Sequence, residues 1–547
     1  MASLLEGRLF RIPGYQRAYS WQRRQRVDLF SDIDEAHRSG RVHFMATVVT
    51  LARASKTIAA QEFLEVEIVD GQQRVTTLVI LLKAIEKRLS ESLAMEAHAK
   101  RELGFLLVKA DEHSLVLLQT NHDSSNVFTS YIRTGEFDHG AVQTASDQNL
   151  VEAMRDCEEF VASWVAKGQL IELLSTVRNR LFVIYHQLSD EATVYRVFEV
   201  LNSRGLDVRW IDKTKSQMMA TIFESSGDGN RVECLNEMKI IWQGIYRVLG
   251  FNLSLGDEAL RFAGTLISKA RPNRVLSEED ASIAMVLHGE RELSRTVKSA
   301  EWLFKIVRLV NELNSDMRRT AVTRIAHARF VAISIMARDF DEKTKNELLN
   351  AWEKVTFRIF GLHSADSRNK VGDYVRLAYD VLVSNLSIMD IRKRLSLIGE
   401  GYEIEKMPED DDEYWDNCYD GWSEELRYIL FRYEEYLSNK SGEKLNQSQW
   451  NKIWLVEPSR SIEHISPQSD NEEFRHHLGN LTMLPPSVNS SLQDKSAIRK
   501  ADTYIKCGIR ETISVGERIK ETGRWTRKDV KARAKRILKF ARTEWAE

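Results

Sequence analysis

Glu463-His464-Ile465-Ser466-Pro467-Gln468, then Leu478-Gly479-Asn480-Leu481-Thr482, then Asn489, is the stretch on which the reading of this chain turns. A histidine preceded by a carboxylate is followed sixteen residues later by Asn480 and twenty-five later by Asn489. Ser461 to Ile465 reads as a short strand ending before Pro467, and Asn480 to Leu484 as a second one stopped by Pro485-Pro486. Ser487 suits the N-cap of a helix carrying Asn489. Such a strand–loop–strand–helix unit would gather Glu463, His464 and Asn489 around one cation. A neutral imidazole can take a proton from water near pH 7, and a cation can sit on a scissile phosphate and its leaving oxygen. Mg²⁺ or Mn²⁺ takes oxygen ligands, which Glu463 and the Asn489 side-chain carbonyl offer. Asn480 is placed to fix the hairpin and orient His464. The pattern points to a one-metal phosphodiesterase, with His464, Asn480 and Asn489 as its catalytic group and Glu463 and Asn489 as metal ligands. His476 and His477, in the loop between the strands, read as surface residues.

Working outward, 547 residues call for more than one domain. A hydrophobic share of 43% and a charged share of 29% are ordinary for a globular protein. The net charge of -2 carries no global signal for a polyanion, so any nucleic-acid surface must be local. Cys157, Cys234, Cys418 and Cys507 are scattered, which excludes a Cys-rich zinc site and a disulfide framework. No signal peptide and no apolar run of the roughly 20 residues that span a bilayer is evident. The expectation is a reduced, soluble, cytoplasmic protein without a membrane partner.

Of seven prolines, five lie beyond residue 400 and none falls between Pro13 and Pro272, so the long middle can be helix-rich. Amphipathic patterns fill Val297 to Leu313, Thr320 to Ala337, Thr344 to Ile359 and Tyr374 to Val383. Polar breaks occur at 224–230 and at 403–416, the latter holding eight acids and one lysine. They divide the chain into 1–225, 226–400 and 401–547. From Arg518 to Arg542 eleven Lys/Arg face two acids, with apolar positions at helical spacing. This reads as one basic amphipathic helix suited to phosphate contact.

At the other end, residues 8 to 26 hold six arginines and no acid, interleaved with Phe10, Tyr15, Tyr19 and Trp21. Arginines with aromatics suit stacking on bases and holding phosphates; packing against the domain body with snorkelling arginines is the alternative. Leu64, Val66 and Ile68 alternate with Glu65 and Glu67 as in a half-exposed strand. Asp70-Gly71-Gln72-Gln73-Arg74 follows, and Val75, Leu78, Val79, Leu82, Ile85 and Leu89 mark a helix. The motif thus sits at a helix N-terminus, where free N–H groups favour an anion. Gly71 lets backbone approach a phosphate, Arg74 can clamp one, and Asp70 can hold a metal-bound water. Asn202-Ser203-Arg204-Gly205 suits either a turn with a second phosphate contact at Arg204 or a plain helix C-cap.

Glu463, His464, Ile465, Pro467, Leu478 to Leu481, Asn489, Lys495 or Lys500, and Tyr504 resemble the HNH (ββα-metal) nucleases, and within them the DUF1524 domain. The run from Glu463 to Ser469 is similar to the HNH domain of RNA-guided DNA nucleases. Two departures are Glu463 in place of the commoner Asp and Asp494 before Lys495 in place of Asn. Ile12 to Trp21, Val69 to Thr77 and Asn202 to Gly205 together resemble the ParB-like DUF262 domain over about the first 220 residues. There, Ala46 stands where that family usually has Gly. The resemblance implies that Asp70, Gly71, Gln72, Gln73, Arg74, Asn202 and Arg204 bind and hydrolyse a nucleoside triphosphate, with GTP favoured. The pairing is similar to type IV, modification-dependent restriction enzymes of the GmrSD and SspE types. It implies that Tyr15, Gln16, Arg17 and Trp21 sense a DNA modification such as phosphorothioate.

The expected fold is α+β and predominantly helical: a ParB-like NTPase domain, a helical middle and a C-terminal ββα-metal domain. The expected activity is NTP-regulated cutting or nicking of double-stranded, modified phage or foreign DNA by a chain that can form a homo-oligomer. Two alternatives stay open: an NTPase-coupled RNA or tRNA nuclease toxin, and a non-catalytic DNA-binding regulator.

Overall fold

The computed structural model describes residues 2–13, 16, 18–58, 61–109, 115–120, 125–137, 139–188, 209–224, 230–289, 293–322, 324–406, 415–470 and 472–546. Contacts group the chain into two compact units, Met1–Ile267 with Leu276–Asn311, and Ser268–Val275 with Glu312–Glu547. Helices dominate, and the strands fall in two small sheets among the described residues, as an α+β, predominantly helical chain should have it.

In the first unit β1 (Arg8–Arg11), β2 (His43–Ile58), β3 (Gln61–Asp70), β4 (Leu118–Gln119) and β5 (Leu181–Leu188) form a mixed sheet in the order β4-β1-β3-β2-β5. β3 is central, parallel to β1 and antiparallel to β2. The alternation in its sequence suggested one wet face, but both faces are covered. Val66 and Ile68 are buried on one side, Glu67 and Val69 on the other, and Arg53 neutralises Glu67 at 2.7 Å. Buried charge tolerates that position because it is paired. Helices α1 (Arg23–Ser39), α2 (Gln72–Arg88) and α3 (Ala145–Val165) supply the cover, α3 packing on both α1 and α2. Phe10, Ile68, Val79, Leu82, Phe128 and Trp164 belong to their common core. The strand–turn–helix junction expected at Asp70–Arg74 is present, since β3 ends at Asp70 and α2 begins at Gln72. A fourth helix, α4 (Trp210–Glu224), returns to the N-terminal segment.

The expected helical patterns of the middle are helical with two changes. Thr320 to Ala337 divides into Met317–Val322 and α5 (Ala326–Ala337), and Thr344 to Ile359 becomes Glu342–Thr356 followed by a wide π-type turn over Phe357–Leu362. α5 packs on α6 (Val371–Leu382) in the second unit. Both polar breaks fall largely on residues outside the described ones, 225–229 and 407–414.

Beyond α7 (Ser423–Ser441), β6 (Ile462–His464) and β7 (Leu481–Met483) pair antiparallel, Glu463 opposite Thr482 and His464 opposite Leu481. α8 (Pro486–Leu492) follows, started by Pro486 at its first turn and not capped by Ser487. Proline fits there because its missing N–H would have had no helical partner. α9 (Ala497–Lys506), α10 (Arg510–Thr522) and α11 (Arg527–Glu544) complete the unit. The basic tail is therefore two helices. Gly523, at φ +72°, ends α10 in the left-handed conformation glycine favours. Thr526 and Asp529 then open α11 with a reciprocal capping box.

α11 reaches the hairpin at Leu478-Gly479-Asn480-Leu481. A Cβ on Gly479 would lie 2.0 Å from the Val530 carbonyl oxygen, so this glycine is what lets α11 approach. Gly479→Ala is expected to cost about 1–3 kcal/mol through overpacking, read as a lower thermal midpoint. An unchanged melting curve would show that α11 can move away freely.

Candidate active site

β6 carries Glu463 and His464 as neighbours, and their side chains find different surroundings. The His464 ring lies edge-on to Tyr419 with centroids 4.8 Å apart. Its Nε2 is 3.1 Å from His476 Nδ1, and the Gln468 amide nitrogen lies 3.1 Å from its Nδ1. Burial, followed by the neighbouring His476 and Lys500, pushes the imidazole down to about 4, so the ring is neutral near pH 7. A neutral ring can accept a proton, and His476 and Gln468 are the groups a water would replace at it. His476 is thus a half-buried partner of His464. His477 is buried, its Nδ1 accepting the Gly479 N–H at 3.0 Å.

Asn480 is fully buried and its amide is wholly committed. Oδ1 accepts from the Ser466 N–H at 2.9 Å, and Nδ2 donates to the carbonyls of Ser466 and Arg475. It holds the loop after β6 against the start of β7, which fixes the backbone carrying His464. Asn489, on α8, donates from Nδ2 to the carbonyls of Arg460 and Ile462, each at 3.1 Å. Those bonds orient Oδ1, which is buried and has no hydrogen-bond partner. An unsatisfied buried carbonyl oxygen is costly unless something binds it, and a hard cation is such a group.

Glu463 is buried and paired. Lys500 Nζ and the Tyr504 hydroxyl both lie 2.8 Å from its Oε1, and Lys500 also donates to the His464 carbonyl at 2.7 Å. Burial raises the carboxyl against the opposing pull of Lys500 and Tyr504. Both contacts use Oε1, so Oε2 is the oxygen with lone pairs to spare. Of the two lysines left open by sequence, Lys500 is the one at the site; Lys495 turns to the Ser491 carbonyl. No group of three or more His, Cys, Asp or Glu side chains gathers for a metal among the described residues. A cation held by Asn489 Oδ1 and Glu463 Oε2 would complete its shell with water and phosphate oxygens, as Mg²⁺ commonly does.

In the first unit two stretches that sequence treated apart meet. Gln16, 2% exposed, donates to the Val69 carbonyl at 2.7 Å, and its own carbonyl accepts from Lys215 of α4. Burial pushes Lys215 down to about 7. The Gln73 amide bridges the same segment, accepting the Ser20 N–H at 2.8 Å and donating to the Ala18 carbonyl at 3.2 Å. Tyr19 bonds Thr77 at 2.8 Å, and the exposed Arg74 lies over the Trp21 ring at 5.8 Å. Gln73 is therefore spent on the segment, while no side chain caps the start of α2 and Gln72 Oε1 is buried without a partner. Those features suit an anion at the helix N-terminus with a polar group alongside. Gly71, at φ +91°, has the Thr47 carbonyl 3.2 Å from where a Cβ would sit. Gly71→Ala is expected to cost about 1–2 kcal/mol from the left-handed backbone alone, seen as a drop in thermal midpoint. Tyr15, Arg17, Asn202 and Arg204 lie outside the described residues.

Residues 1–219 match the family profile of the GmrSD restriction endonuclease, N-terminal domain, and residues 407–540 that of the GmrSD restriction endonucleases, C-terminal domain. The chain belongs to the GmrSD restriction endonucleases. It is a nuclease of the restriction type, with DNA as the substrate class. No curated protein matches it. The GmrSD C-terminal match spans β6, β7 and α8, and the N-terminal match spans the Gln16–Gln73 contact. No described helix is long and apolar enough to cross a membrane.

Proposed function

We propose that the chain is a modification-dependent DNA endonuclease that cuts or nicks phage or foreign DNA by one-metal HNH chemistry under nucleoside triphosphate control. The single observation behind the reading is the pair formed by a buried, neutral His464 and the unpartnered, buried Oδ1 of Asn489, both set on the β6–β7–α8 unit. His464 takes the proton of the attacking water. Asn480 holds the strand end so that the imidazole keeps its place, and Tyr419 packs against the ring. Glu463 and Asn489 would hold Mg²⁺ or Mn²⁺, which when bound supplies Lewis-acid stabilisation of the phosphate and leaving oxygen. Lys500 and Tyr504 orient Glu463.

In the first unit, Gly71 and the uncapped start of α2 suit a triphosphate, with Arg74 as its clamp, and the nucleotide proposed, on the family resemblance, is GTP. The 12–21 segment, joined to that turn through Gln16 and Gln73, is the reader of the modification. Matched DNAs that are unmodified, glucosylated, hydroxymethylated or phosphorothioated, each incubated with Mg²⁺ with and without GTP, test the reading. One modified substrate should be cut preferentially, with a rate that GTP changes. Equal cutting of all four, indifferent to GTP, would remove both the reader and the gate.

A further inference from the structure

We propose that a groove between α7, α10 and α11 binds the sugar–phosphate backbone of the DNA substrate; this rests on the nuclease reading above. The groove encloses about 1080 Å³. None of Glu463, His464 and Asn489 lines it. Its α11 wall is Lys528, Ala532, Arg536, Lys539 and Thr543, which recur every three or four residues and so share one helix face. Lys440 of α7 stands on the other side.

Charge accounting separates these cations from an ordinary solvated face. Arg510 and Arg518 also line the groove, but Glu443 and Asp529 neutralise them. Asp529, the acid that lines it, is spent on Arg518 and on the cap with Thr526. Lys440, Lys528, Arg536 and Lys539 have no carboxylate partner among the described residues. A chain whose net charge is -2 has thus left four unneutralised cations facing one groove. Self-repulsion makes that arrangement unfavourable until a polyanion enters.

The lining is also aromatic. Tyr433, Trp525 and Phe540 lie beneath, and Tyr436 is exposed with its ring stacked on Tyr433. Trp525 is 8% exposed and its indole N–H is buried without a hydrogen-bond partner. Cations spaced along a helix and flat aromatic surface together fit a nucleic-acid backbone better than a small metabolite.

The test uses the full chain and an unmodified DNA duplex carrying a fluorophore, titrated by anisotropy over a series of salt concentrations. The variant Lys528→Gln/Arg536→Gln/Lys539→Gln changes exposed side chains only, and its thermal melting should match wild type. If each cation holds one phosphate, the slope of log affinity against log salt should flatten by up to about 2.7, at about 0.9 per contact, with weaker binding throughout. Unchanged affinity and slope would overturn the proposal. Tighter competition by a duplex RNA of the same sequence would overturn the DNA assignment. His464→Ala, compared with wild type for nicking of supercoiled plasmid in Mg²⁺, separates the two readings. Normal binding by the triple variant with no cutting by His464→Ala removes the groove and keeps the nuclease site. Weakened binding by the triple variant with undiminished cutting by His464→Ala keeps the groove and removes the base.

Discussion

Replacing His464 with alanine is expected to lower the rate of supercoiled-plasmid nicking in Mg²⁺ by about 10²–10⁴-fold, the usual worth of a positioned general base. The size of the loss follows from how the ring is held. Burial and His476 keep the imidazole unprotonated near pH 7, which leaves its lone pair in place. Asn480, itself fully buried, fixes the strand end on which the ring is carried. Alanine removes the acceptor and leaves the rest in place. Glu463 stays paired with Lys500 and Tyr504, and the Asn480 bonds to the Ser466 and Arg475 backbone do not involve the ring. Cation binding followed by calorimetry should therefore change little while nicking collapses. Equal nicking by wild type and variant would take His464 out of the chemistry. Loss of both nicking and fold would show that its packing against Tyr419 is the larger contribution.

Replacing Arg533 with methionine is expected to destabilise the second unit by about 3–5 kcal/mol, the cost of removing one partner from a buried ion pair. Arg533 is 1% exposed and forms a two-pronged pair with Glu511, which is itself buried. Its remaining donor, Nη1, bonds the carbonyls of Leu478, Gly479 and Leu481. Methionine fills similar space but leaves three carbonyls and a carboxylate without their donor. Glu511 also accepts from Thr482 of β7, so the damage runs into the hairpin that carries the site. Amide hydrogen exchange across 478–484 should speed up sharply, well before global unfolding. Adding Glu511→Gln should recover part of the loss, because it removes the stranded charge. Protection equal to wild type would mean that the network is not what holds the hairpin to α11.

These two residues also show what sequence could and could not convey. His464 and Asn489 were legible because the carboxylate–histidine pair, the intervening asparagine and the proline stop are all local signals with a chemical meaning. Arg533 was not, because inside a run of lysines and arginines a buried cation has the same letter as a solvated one. The break between α10 and α11 had its signals in view, Gly523 followed by Thr526 and Asp529, but an apolar spacing that continues across them outweighed the caps. His476 was passed over because its contact with His464 spans the loop between the strands, and nothing in the eleven intervening positions announces it. Glu67 read as exposed because alternation implies one wet face, whereas both faces of β3 are covered there and Glu67 is paired with Arg53. In the first unit the separate motifs at 12–21 and 70–74 were each visible, yet their meeting through Gln16 and Gln73 is a tertiary fact.

That meeting bears on how specificity in such a protein can be exchanged. The 12–21 stretch is not a cassette. Its Gln16 side chain is moored at Val69, its backbone at Gln73 and at Lys215, and the lysine lies far along the chain from the other two. A transplant of the stretch alone would arrive without its moorings and set in some other shape. For the reader proposed above, swapping recognition between relatives therefore requires moving a discontinuous surface, including the first turn of α2 and one lysine from α4, as a single piece.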